Sequence, residues 1–407
     1  MSRVRIVAYG LLGLPLAFAA LPVYIHVPRL YADSAGMELA VLGTILLATR
    51  LCDACIDPWL GCLADRFPRR HMLAVALLPF GLGFVALLNP PATHVVFWLV
   101  AALALTYLGF SAASVAYQAW GAALGTDSTM RTRLTASRET FGLLGVVLAA
   151  ALPNLMASDL SGGTVRLSWI LPPLLLVAAA VTLAESGGSS RPPAPAARLS
   201  RSVLRAIADT AFVRLLLVFV ANGIAAALPA TLFLFFVADV LGLATMSGVL
   251  LVLYFVAGAV SLPFWVRLAG HLGRVRAWGL AMLLAMFAFA GASLLGPGDL
   301  WPFAMICLTS GLALGADLAL PAAMVADFGE RQGQSGTCFG IWNFITKLNL
   351  ALAAGLALPL LDLLGYRPGS GQALNALVGV YALLPLGFKL LAAGLLWRWR
   401  NSLEIRP

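Results

Sequence analysis

Twelve apolar blocks separated by short polar or charged loops follow one another along the 407 residues of this chain. The first runs from Ile6 to about Val27, and the others lie at about 38–60, 71–89, 95–123, 138–157, 167–184, 211–238, 246–266, 275–295, 300–326, 337–363 and 375–397. About 20 apolar residues suffice to cross a bilayer as a helix. The expected fold class is therefore an all-α membrane protein of twelve transmembrane helices. Only 11% of the residues are charged and 61% are hydrophobic, whereas a soluble domain carries about 25% charged residues, so a soluble globular protein is excluded. Arg3 and Arg5 precede a first block that is too long for a signal-peptide core, which makes it helix 1.

Basic residues accumulate in cytoplasmic loops. With the blocks placed as spans, 19 Lys and Arg fall on the side of both termini, and 3 (Arg29, Arg166, Arg367) fall on the other. Arg50, Arg214, Lys347 and Lys389 fall inside spans. Both termini are expected to be cytoplasmic, in a multi-pass protein of the inner membrane. This asymmetry accounts for the net charge of +9 without a nucleic-acid partner. The five cysteines lie in or beside apolar blocks and form neither a disulfide framework nor a zinc-ligand spacing.

The Pro- and Ser-rich stretch 186–202 suits a cytoplasmic linker. It divides the chain into six-helix bundles at 1–185 and 203–407. After helix 2 comes Gly61-Cys-Leu-Ala-Asp65-Arg66-Phe-Pro-Arg69-Arg70, which resembles the loop signature of major facilitator transporters, with Pro68 in place of the usual glycine. That resemblance implies the major facilitator fold, whose two halves rock about a site at the midplane. Gly61 allows close helix approach, and Asp65 with Arg66, Arg69 and Arg70 offers charged partners for a conformational latch; topology-setting charge is the competing reading of the arginines.

Helix 2 carries Arg50, Asp53 and Asp57 in ATRLCDACIDPWLG. At about 100° per residue the three fall within about 60° of arc and make one polar face. A charged side chain at the centre of a span costs about 2.5–3.5 kcal/mol on insertion scales, so the face must pair or meet water. Two acids and one base leave a negative site suited to Na⁺ or an exchangeable proton. Pairing between helices is the alternative.

R-x-x-D-x-x-x-D-P in helix 2 also resembles the signature of the glycoside-pentoside-hexuronide:cation symporters, the melibiose permease-like family. Ala-Trp120-Gly121-Ala with Arg131-Thr-Arg133-Leu134-Thr-Ala-Ser-Arg138, and Phe339-Gly-Ile-Trp342-Asn343-Phe-Ile-Thr-Lys347, look like its helix 4 to helix 5 segment and its helix 11. The resemblance implies cation-site acids at Asp53 and Asp57, which are metal ligands only if the ion is Na⁺. It also implies a site lysine at Lys347, a base beside the sugar at Arg138 and a stacking Trp120. Two sugar-binding aspartates of the family fall on Ala17 and Ala116, and a threonine that helps hold Na⁺ falls on Ala113.

Asn343 and Lys347 share a face of helix 11, where the lysine is expected to answer an acid on helix 2. Asp317 on helix 10 is a second partner for Lys347, a substrate contact or a helix-helix hydrogen bond. Tyr117 and Trp120 line the cavity or pack in the core, and Asn222 reads first as an interhelical contact. No cofactor is expected beyond the coupling ion, Na⁺ or H⁺. The chain reads as a monomeric symporter of a small organic solute, by the family a glycoside or sugar acid, with an amphiphile such as a lysolipid as the alternative. An uncoupled facilitator is a further class. An intramembrane enzyme is disfavoured, because no G-x-S-x-G, H-E-x-x-H or Walker sequence occurs.

Overall fold

The computed structural model describes residues 1–33, 37–91, 93–156, 160–185 and 199–404. Among these residues the chain is helical, with no strand. Each expected block lies in a long helix: α1 (residues 3–33, with internal breaks), α2 (Leu39–Arg66), α3 (Arg69–Leu88), α4 (Val95–Leu124), α5 (Ser128–Met156), α6 (Leu160–Glu185), α7 (Thr210–Val240), α8 (Ala244–Leu272), α9 (Arg274–Ala292), α10 (Leu300–Gln332), α11 (Ser335–Leu363) and α12 (Leu374–Leu403). Ten of them contain a segment long and apolar enough to cross a membrane. The other two, α2 and α5, are long enough at 28 and 29 residues but carry Arg50, Asp53, Asp57, Asp65 and Arg66 in the one and Arg131, Arg133, Arg138 and Glu139 in the other. Of the expected linker, 186–198 lies outside the described residues, and its end is helical, within Leu199–Ala208.

Helix boundaries follow local chemistry. Asp209 caps α7 by accepting from the N–H groups of Ala211 and Phe212 at 2.9 and 3.2 Å. Proline lies inside several helices, including α2 (Pro58), α7 (Pro229) and α10 (Pro321), a placement that packed membrane helices tolerate. Three helices widen into a π turn, at Pro22–His26 in α1, Phe236–Val240 in α7 and Gly379–Leu383 in α12.

The chain forms two compact units. The first comprises residues 1–206 and 325–344, so it includes the end of α10 and the start of α11. Its core gathers Tyr9, Phe18, Phe80, Phe84, Tyr117 and Trp120. The second comprises 207–324 and 345–407, and in its core Phe236 stacks on Tyr381 with ring centroids 4.0 Å apart. In membrane helices small residues let backbones approach, and the first unit uses them: a Cβ built at Gly61 would fall on the Gly336 carbonyl, and one at Gly336 on the Gly61 carbonyl. The turn before α9 depends on Gly273, at φ +86°, where a Cβ would also strike the Glu404 carboxylate.

Candidate functional site

The helix 2 face forms in a continuous helix. Arg50 is exposed, Asp53 half-buried and Asp57 fully buried, so the face runs inward along α2. Ser111 Oγ of α4 donates to Asp53 Oδ1 at 2.7 Å. The α2 backbone at Asp57 is also closely packed, since a Cβ at Gly340 of α11 would fall on the Asp57 carbonyl and lie 3.0 Å from Pro58 Cα. Two carboxylates one turn apart, one of them hydrogen-bonded to a hydroxyl, make a set of oxygen ligands able to hold a proton or a small hard cation.

About two turns beyond Asp57, α2 ends in a network with the 325–344 segment of the same unit. Asp65 accepts from the N–H groups of Gly336 and Thr337 at 2.7 and 2.8 Å and from Thr337 Oγ1 at 2.8 Å, which caps the start of α11 with a carboxylate. Arg69 lies 3.7 Å from Asp65, 3.2 Å from Glu330, and donates to the Ala119 carbonyl at 3.0 Å. Ser335 Oγ donates to Glu330 at 2.5 Å. Of the five latch residues, Gly61, Asp65 and Arg69 are part of this contact, whereas Arg66 and Arg70 are exposed.

Before α5, Asp127 accepts from the Met130 N–H at 2.8 Å, and that bond holds its carboxyl below the usual range. Within α5, Arg138 pairs with its neighbour Glu139. Nearby, Tyr9 donates to the Tyr117 carbonyl at 3.0 Å while Tyr117 donates back to the Tyr9 carbonyl, and Trp120 stands edge-on to Tyr9 at 6.2 Å. Tyr117 and Trp120 are buried in this aromatic packing. Ala113 and Ala116 are fully buried as well, and Ala17 is half-buried.

Asn343 falls in the first unit and Lys347 in the second, both half-buried on α11. Asp317, considered as a partner for Lys347, pairs with Lys389 of α12 at 2.6 Å.

Residues 6–401 match the family described as MFS/sugar transport protein. The chain belongs to that family. It is similar to the uncharacterized symporter YjmB of Bacillus subtilis, 23% identical over 89% of this chain and 83% of that protein. The inner membrane symporter YicJ of Escherichia coli is 30% identical over 34% of this chain and 32% of its own length. Among solved structures, the E. coli fucose:proton symporter FucP matches with a TM-score of 0.71 at 15% identity, covering 96% of this chain and 99% of that one. The human organic anion transporter MFSD10 matches with 0.68 at 19% identity, covering 97% and 98%.

This MFS protein is thus a membrane-embedded secondary transporter of small molecules and not an enzyme. Several residues of the transporter's polar clusters carry little signal in the sequence, among them Ser111, Tyr9 and Lys389. Ser111 lies two residues from Ala113, which lacks the oxygen of the family's threonine. Tyr9 is one aromatic residue in the apolar block of helix 1. Lys389 was counted as an embedded base and given no role, although a lysine inside an apolar block is itself a signal.

Proposed function

We propose that this transporter couples the uptake of a small polar solute to a cation, H⁺ or Na⁺, bound at Asp53 and Asp57. The observation that carries the reading is the α2 face itself, where a fully buried Asp57 lies one turn from an Asp53 that already holds a hydroxyl. Ionised carboxylates in a membrane helix are retained where they bind or relay ions. Cation binding that strengthens solute binding must, by linkage, be strengthened by solute in turn. The symporter relatives and the proton-coupled structural neighbour support this direction. Asp65 and Arg69 act as the latch, with both termini on the cytoplasmic face of the inner membrane, as the charge asymmetry suggests.

The solute reading rests on Arg138. Glu139 gives that guanidinium a carboxylate neighbour, so an acid-and-base couple suited to hydroxyl groups is present despite Ala17 and Ala116. This favours a neutral glycoside over a sugar acid or an acid-headed amphiphile, either of which would have to displace Glu139. The test is gradient-driven uptake into vesicles. Asp53→Asn and Asp57→Asn are each expected to abolish accumulation while leaving solute counterflow measurable. Uptake that stays gradient-dependent in both variants overturns the coupling reading.

A further inference from the structure

Four polar side chains from four helices of the second unit meet, three of them near the middle of their helices and Trp278 about one turn from the start of α9. Lys389 of α12 is 1% exposed, and its Nζ donates to Asn222 Oδ1 of α7 and to Asp317 Oδ2 of α10, both at 2.6 Å. Trp278 Nε1 of α9 donates to the other carboxylate oxygen, Asp317 Oδ1, at 2.8 Å. The surroundings fix these groups: Trp278 is fully buried, and a Cβ at Gly223, next to Asn222, would collide with the Asn349 amide.

We propose that Asp317 and Asn222 form a monovalent-cation site that the chain fills with its own Lys389 ammonium. A carboxylate oxygen and an amide carbonyl oxygen are the ligand types that hard cations take. An ammonium is a compact point charge with three donors, and it meets that oxygen pair as a small ion would. The charge sum separates the two units. On α2 the acids outnumber the base of their own face, whereas Asp317 and Lys389 sum to zero. A positive charge tethered to α12 cannot be discharged on either side of a membrane. This cluster therefore contributes a fixed ion pair of zero net charge and adds no ion to the transport stoichiometry.

Lys389→Met removes the ammonium and keeps an apolar stem. In choline buffer the purified variant is expected to melt about 10 °C below the parent, as follows from leaving a buried acid without its partner. Na⁺, NH4⁺ or methylammonium is expected to restore about half of that loss or more, saturably, as a ligand of the folded state does. With Asp53→Asn present to remove the α2 ion site, the double variant Asp317→Asn with Lys389→Met is expected to show no cation response. The response is expected to persist with Asp53→Asn added, which separates this proposal from the coupling reading of α2. Where Lys389→Met does not fold, Lys389→Gln takes its place with the same expected response. Indifference to all three cations, an equal response in the double variant, or failure of both single variants to fold in any of the cations overturns the proposal.

Discussion

Arg131 of α5 and Asp327 of α10, 196 residues apart in the chain, meet Nη1 to Oδ1 at 2.7 Å. The aspartate side chain is 2% exposed and the arginine 17%, so the acid has far less access to water than the base. Arg131 also donates from Nε to the Ala122 carbonyl at 3.1 Å, which fixes its plane.

Removing the base is therefore expected to cost more than removing the acid. Breaking a fully buried pair costs about 3–5 kcal/mol, and the partial exposure of Arg131 places this one toward or below the lower end. Arg131→Met is expected to lower the melting temperature in detergent, and adding Asp327→Asn to recover part of the loss. A double variant no more stable than Arg131→Met would show that the charge of Asp327 is not the source of the cost.

Gly61 and Gly336 exclude one another's Cβ atoms. Gly61→Val or Gly336→Val is expected to push α2 from the start of α11 and lengthen the hydrogen bonds that Asp65 accepts from Gly336 and Thr337. Transport is expected to fall at least about tenfold, the equivalent of roughly 1.4 kcal/mol. Unaltered transport in Gly336→Val would mean that this close approach is dispensable to the working cycle.

Glu139 neutralises Arg138. Glu139→Gln leaves the guanidinium with a neutral neighbour and is expected to weaken neutral hydroxylated solutes while strengthening anionic ones. Competition between a neutral glycoside and its uronic acid measures this. A selectivity ratio unchanged by the substitution would remove Glu139 from the solute site.

Glu404, just after α12, faces the turn at Gly273, and burial pushes its carboxyl above the ordinary range against the pull of Arg274 and Arg276. A raised folded-state value means that the contribution of this group to stability is full below pH 4.5, its unfolded value, and is lost as pH rises through the folded one. Glu404→Gln is expected to flatten the melting temperature just above pH 4.5. A variant with the wild-type slope in that interval would assign the slope to other groups.

The α2 face could be read from sequence because helical periodicity is local: three charged residues within eight positions of a helix share a side wherever the helix goes. The succession of helices was equally legible, since span length is a property of the segment alone. Pairings between distant helices were not. Asp317 had Lys347 nearer in sequence, yet it lies against Lys389, and nothing in either apolar block records which helix it will face. Glu139 follows Arg138 directly, and adjacent residues on a helix do not face each other, so their pairing is not legible from spacing. Tyr117 reads from sequence as a cavity or a core residue, and its bond to the Tyr9 carbonyl depends on how α1 crosses α4.

The π turns in α1, α7 and α12 have a consequence for movement. Each behaves like a dislocation in a crystal, an extra residue accommodated by one wide turn. Such a turn is one of the few places where a helix can kink sharply without losing its backbone ladder on either side. α1, α7 and α12 thus each carry a fixed point at which their two ends can differ in direction.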